Sequence, residues 1–140
     1  MIQEKLNVIL EKHEKWLKNE EGGECANLSG ADLKDANLRD ANLKDIDLSG
    51  ADLRNANLKY ADLRWANLRC ANLTGANLEG ANLKFVELRF SNLAGANLQN
   101  ADLYGANLQN ADLSHAYLRN AKNLDYAYIR LIDLKDAITK

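Results

Sequence analysis

The chain has 140 residues, with 18 Lys plus Arg against 20 Asp plus Glu, two cysteines and no proline. That length suits one domain with a real core, and the balanced charge excludes a general polyanion binder, whose footprint is a basic excess. Two cysteines make neither a disulfide framework nor a metal-ligand cluster, and no stretch approaches the roughly 18 apolar residues of a membrane span.

The first predicted element is a helix. Between residues 2 and 21, Ile2, Leu6, Ile9, Leu10, His13, Trp16 and Leu17 fall on one helical face, with Lys and Glu opposite. Gly22 and Gly23 supply the expected stop. Residues 1–24 are therefore expected to form an amphipathic capping helix, set apart from a second region, 25–140. Four Lys against six Glu in residues 1–24 fit an anionic lipid surface poorly, so no membrane is expected as a partner. The segment also lacks the apolar run of a signal peptide. The expectation is a cytoplasmic protein with reduced thiols.

From Leu28 to Leu118 every fifth residue is leucine, nineteen times without exception. Two places earlier stands alanine in sixteen of those units, the exceptions being Ile46, Val86 and Ser91. Between them lies Asn or Asp in seventeen, with Glu87 and Tyr117 as the exceptions. Neither the helical period near 3.6 nor the strand period of 2 asks for five. In extended backbone the alanine and leucine share one side and the Asn or Asp takes the other. The last two positions are mostly polar or glycine, so the chain can turn there. A strand and a turn repeated toward the same side wrap the chain around its own leucines, giving a solenoid of short parallel strands.

The A-[N/D]-L-x-x unit resembles the pentapeptide-repeat family, in frame over residues 26–118. The resemblance implies an all-β solenoid: a right-handed quadrilateral parallel β-helix with four pentapeptides per coil, preceded here by a capping α-helix. With coils about 4.8 Å apart, five to six of them would make a rod roughly 25 Å long.

Beyond Leu118 the frame slips. Five residues on stands Asn123, and the expected leucine arrives at Leu124, followed in the new frame by Ile129 and Leu134. An irregular last coil is thus expected from about residue 121. Its apolar residues Tyr126, Tyr128, Ile129, Leu131, Ile132 and Ile138 would serve either as a lid or as the contact of a homodimer.

The chemistry of catalysis is not legible here, and the protein is read as no enzyme. His13 lies on the apolar helix face, where packing is its ordinary role. His115 follows Ser114 near Asp112, but neighbours in sequence do not make a triad, whose members converge across space. Asp32 and Asp52 have Lys34 and Arg54 two residues away as partners, which argues for ion pairs over a metal. Cys70 has no base beside it. No glycine-rich loop opens a helix, so neither a cofactor nor a metal is expected.

Function is then expected in the outward side chains, read in columns twenty residues apart. Lys44, Arg64 and Lys84 make a basic column, and Arg69 and Arg89 follow on the adjoining face. Trp65 and Phe85 share one corner, with Cys70 and Phe90 at the next and Tyr60 one unit before Trp65. Trp65, Phe85, Phe90, Arg64, Arg69, Lys84 and Arg89 form a candidate partner surface, because aromatic and Arg residues concentrate at interfaces. Simple stapling of neighbouring coils is the competing reading, and nucleic acid stacked on the rings is the weakest. The main functional expectation is a non-enzymatic scaffold or protein-interaction module. The family resemblance implies an alternative, a DNA-mimicking modulator of DNA gyrase of the quinolone-resistance type. Residues 25–140 carry 14 basic and 14 acidic residues, which suits that alternative poorly.

Overall fold

The computed structural model describes residues 1–129, 134 and 136–138. Its coils are closed by parallel bridges at one interval: Asn27 pairs with Asp47, Asp32 with Asp52, Asn37 with Asn57 and Asn42 with Asp62. The same interval of twenty residues persists through Asp102–Lys122. Each coil therefore has four sides of five residues. We number the faces from the first coil: face 1 is 26–30, face 2 is 31–35, face 3 is 36–40 and face 4 is 41–45, each recurring every twenty residues.

Each position in the unit has one physical task. The leucine carbonyl accepts from the amide three residues on, as in Ala31 N to Leu28 O at 3.0 Å, closing a tight turn. The residue before that amide sits at positive φ: +64° at Gly30, +57° at Asp35 and +62° at Trp65. Left-handed backbone favours Gly, Asn and Asp, and those residues fill most of this corner position. The Asn or Asp in the middle of each face accepts from the backbone two residues later, as in Ser29 N to Asn27 Oδ1 at 2.9 Å, which holds the bend. Inside, the leucines from Leu33 to Leu108 are no more than 1% exposed, stacked in layers with the alanines. Ser91 replaces an alanine without penalty because its hydroxyl donates to the Leu88 carbonyl at 2.6 Å.

The helix α1 runs Gln3–Leu17 and ends earlier than Gly22 and Gly23 suggested. The stop is Asn19 in left-handed conformation (φ 55°). Glu20 N donates to Lys15 O and Asn19 N to Trp16 O, the paired bonds of a Schellman ending. Gly23 is needed for a different reason. A Cβ there would lie 2.3 Å from Trp16 N, so the chain can fold back along α1 only with glycine at this point.

The position of α1 follows from backbone accounting. In each bridge the later-coil residue makes both bonds, as where Asp52 N donates to Ala31 O and Asp52 O accepts from Leu33 N. The N–H and C=O of its first-coil partner thus point away from the second coil. Asn27, Asp32, Asn37 and Asn42 therefore aim theirs at the open end, where α1 lies. Side chains of α1 replace the missing coil. Gln3 donates to Asn37 O at 3.0 Å and accepts from Asn37 N at 2.9 Å. The amino terminus donates to Asp32 O. His13 is fully buried, accepts from Ala26 N at 3.1 Å through Nδ1, and so carries its proton on Nε2, which donates to Lys44 O at 2.8 Å.

At the other end the frame slip is real. Asn107 bridges Tyr128 and Tyr117 bridges Ile138, intervals of 21 residues. The extra residue is absorbed by Asn123 at φ 59° and a single 3-10 turn, Leu124–Tyr126. Leu131 and Ile132, two residues of the expected dimer contact, lie outside the described residues.

Candidate functional site

The face-4 corner reads Asp45, Trp65, Phe85, Gly105 down the rod. Trp65 and Phe85 stack face to face, centroids 4.3 Å apart and planes 9° from parallel. The ladder continues beyond the two expected rings. Tyr104 meets Phe85 edge-on at 5.5 Å, and Tyr126 follows at 5.4 Å from Tyr104. Gly105 makes this packing feasible: a Cβ there would come within 2.6 Å of the Phe85 ring. All four rings remain solvent-exposed, from 38% at Phe85 to 65% at Tyr126.

The backbone at this corner makes the rings unusual. Trp65, Phe85, Phe90, Tyr60 and Cys70 all occupy positive φ, where a bulky L-residue is strained by about 1–2 kcal/mol. Glycine or asparagine would remove that cost. Among the described residues Phe90 gains no ring partner; instead the Arg69 guanidinium lies 5.7 Å over its face. Tyr60 is covered by Arg39 at 5.3 Å and Lys59 at 5.0 Å, and its ring rests on Gly80 of the next coil.

The expected basic surface is largely neutralised. Arg64 pairs with Asp62 (Nε–Oδ1 2.9 Å), Lys84 with Asp102 at 3.3 Å, Arg89 with Glu87 at 2.9 Å and Lys44 with Asp45 at 3.7 Å. For Arg64 and Arg89 the cause is local: a residue just after the leucine lies two places from the mid-face carboxylate, on the same side of the chain. Lys84 and Lys44 follow asparagines and reach instead to Asp102 of the next coil and to the adjacent corner Asp45. Arg69 follows Asn67, an amide, so its guanidinium turns to Phe90 instead. Burial works against the Asp62 carboxylate, yet hydrogen bonds from Arg64 keep its pKa below the usual range. On face 2, the Arg54 hydrogen bond lowers Asp52 to about 2, with Lys34 adding a smaller pull.

Ser114 donates to Asp112 Oδ1 at 2.6 Å, and that hydroxyl bond comes first among the causes that lower the Asp112 carboxyl. Thr74 does the same to Asn72 at 2.6 Å. The Ser114 bond is a turn habit of the repeat. Of the terminal aromatic residues, Tyr126 joins the ladder, whereas Tyr128 is paired to Asn107 and exposed at 62%. Tyr104 was the ring that sequence columns missed. Its signal was a tyrosine directly before a corner glycine, which leaves room for a neighbouring ring.

The family model for pentapeptide repeats matches in eight copies, over residues 26–55, 46–84 and 81–120. No curated protein matches the chain. Among solved structures, a pentapeptide repeat protein from the Arabidopsis thaliana thylakoid lumen is 28% identical with a TM-score of 0.66, covering 68% of this chain and 66% of its own. A pentapeptide repeat protein from Nostoc PCC 7120 is 32% identical over 93% of both chains, with a TM-score of 0.38. Full-length QnrB1, a plasmid-mediated fluoroquinolone resistance protein, is 16% identical over 81% of this chain and 67% of its own, with a TM-score of 0.41. The lumenal relative overturns the cytoplasmic expectation. An interior of leucine and alanine with paired backbone closes equally well in any aqueous compartment, so the repeat carries no address. With its twenty-residue, four-sided coils and matched repeats, this chain belongs to the pentapeptide-repeat family and folds as its right-handed quadrilateral β-helix.

Proposed function

We propose that this chain is a non-catalytic interaction scaffold whose partner surface is the region between the face-4 corner and the next. Trp65 and Phe85 bound it on one side and Phe90 on the other, with Arg69 and Arg89 between. One observation carries the reading. Bulky rings stand in strained backbone at exposed corners, in a chain that fills most other corners with Gly, Asn or Asp. Strain of that kind clusters at functional sites.

The geometry also shapes what such a partner would meet. Trp65 and Phe85 spend their facing surfaces on each other, leaving edges outward, which suits protein packing better than stacked bases or sugars. The ion-paired flanks disfavour a strongly acidic partner. The DNA-mimic alternative gains no support, because an imitation of duplex DNA needs a dominant negative field and these columns are paired.

The test is the double variant Trp65→Asn with Phe85→Asn, compared with wild type for recovery of binding proteins from the native host. Loss of a specific partner with an unchanged circular dichroism spectrum is the expected result. Unchanged partner recovery from a well-folded variant refutes the surface and leaves the rings as a coil-to-coil staple.

A further inference from the structure

The cap formed by α1 is incomplete. Face 3 is fully served, since the Gln3 side-chain amide occupies both backbone groups of Asn37. Face 1 is not. Among the described residues, neither the N–H nor the C=O of Asn27 has a backbone or side-chain partner, and both point toward the open end. A cavity of about 440 Å³ lies there, between α1 and the start of the first coil. Val8 and Ile9 form an apolar wall, Val8 being 56% exposed, and Cys25 and Asn27 line the opposite side. Lys5 and Lys12 stand on the α1 side. Lys12 is held by Glu24 at 2.9 Å, whereas Lys5 has no carboxylate within ion-pair distance among the described residues.

We propose that this cavity binds an extended apolar peptide segment ending in a free carboxylate. One peptide unit pairs with the N–H and C=O of Asn27, as the Gln3 amide pairs with Asn37. The adjoining apolar side chain packs on Val8 and Ile9, and the carboxylate meets Lys5. Addition of a strand to an exposed edge is an established mode of peptide recognition: main-chain bonds give affinity, and flanking pockets give specificity. The charge around the cavity selects the occupant. A second cavity of about 310 Å³, beside Asn42, offers a comparable open edge, but its lining holds no cation. Its carboxylates Glu11, Glu14 and Asp40 are each ion-paired, with Lys15, Lys18 and Arg39. A carboxylate-bearing peptide finds no cation in that lining and meets one at Lys5.

The test uses Cys25 as a reporter and Cys70 as an internal standard, since both thiols are free and exposed. Burial, with Asp45 and Asp47 adding to it, pushes the Cys25 thiol up, so alkylation by iodoacetamide is followed at about pH 8.5. Acetyl-Val-Leu-Val with a free carboxylate is expected to slow modification of Cys25 several-fold at about millimolar concentration, leaving Cys70 unchanged. N-methylation of the leucine amide should abolish protection. Replacing the carboxylate by an amide should weaken protection, and Lys5→Gln should erase the difference between the two peptides. Equal protection by the N-methylated peptide overturns edge pairing. Equal protection by acid and amide in the wild type overturns the role of Lys5. No protection of Cys25 at that concentration, or parallel protection of Cys70, overturns the site.

Discussion

Two corner glycines have almost the same backbone and opposite surroundings, which permits a clean separation of strain from contact. Gly50 and Gly105 sit at φ +65° and +67°, so alanine at either forfeits the left-handed freedom of glycine, about 1 kcal/mol. Around Gly50 no atom of the described residues lies within 4 Å of the added Cβ. At Gly105 the same carbon would lie 2.6 Å from Phe85 Cδ1 and 2.7 Å from Cε1, so the ring must move. Moving it disturbs the contacts of Phe85 with Trp65 and Tyr104, each worth about 0.5–1.5 kcal/mol. Gly50→Ala should therefore cost about 1 kcal/mol and Gly105→Ala about 2–4. Urea unfolding followed by circular dichroism measures both. The double variant Gly105→Ala with Phe85→Ser should recover most of the excess, giving a coupling energy of at least about 1 kcal/mol. Equal costs for the two glycines, or strict additivity in the cycle, would refute the claim that the Phe85 ring rests on Gly105.

Leu68→Ala should cost about 2–5 kcal/mol in the same assay, because Leu68 is 0% exposed, whereas Gln99→Ala should stay within about 0.5. His13→Ala orphans the Ala26 N–H and the Lys44 C=O; a loss of about 1–3 kcal/mol per group is expected, with faster amide exchange confined to the first coil. Asp52 lies well below its ordinary pKa, so its ion pair adds stability that is present above the normal aspartate range and disappears as pH falls through about 2. NMR titration should find that low value, and Arg54→Gln should return it toward the ordinary range.

The interior was legible because one constraint acts on it: a coil of four equal sides needs the same small and large residue at every fifth place. The frame slip at Asn123 was legible for the same reason, since a single extra residue breaks an otherwise unbroken leucine series. The helix end was misplaced because glycine is a common stop, while Asn19 performs the turn and Gly23 serves close packing. The outward charges were harder to read. A column of Lys44, Arg64 and Lys84 reads as basic until the carboxylates of Asp45, Asp62 and Asp102 are placed within reach. Sequence columns twenty apart show what stacks directly between coils, but not which off-column neighbour, on the same face or diagonally one coil on, a long side chain chooses. Tyr104 was missed on that account, since its ring joins a corner column from the position beside it.

The four sides of the coil are alike inside and unlike outside. Most five-residue units can follow one another, because sixteen of the nineteen contribute the same alanine, leucine and turn to the interior. Insertion of one extra unit directly after Trp65 would leave the core closed, yet every later corner would advance by a quarter of a turn. Trp65 would then lie over Gly80, and Tyr60 over Gly75. An insertion of twenty residues would restore the later columns to their original sides. The molecule thus separates two codes of different period. Its fold is written in fives and its surface in twenties, so short duplications can redraw the outside of the rod while the packing inside is preserved.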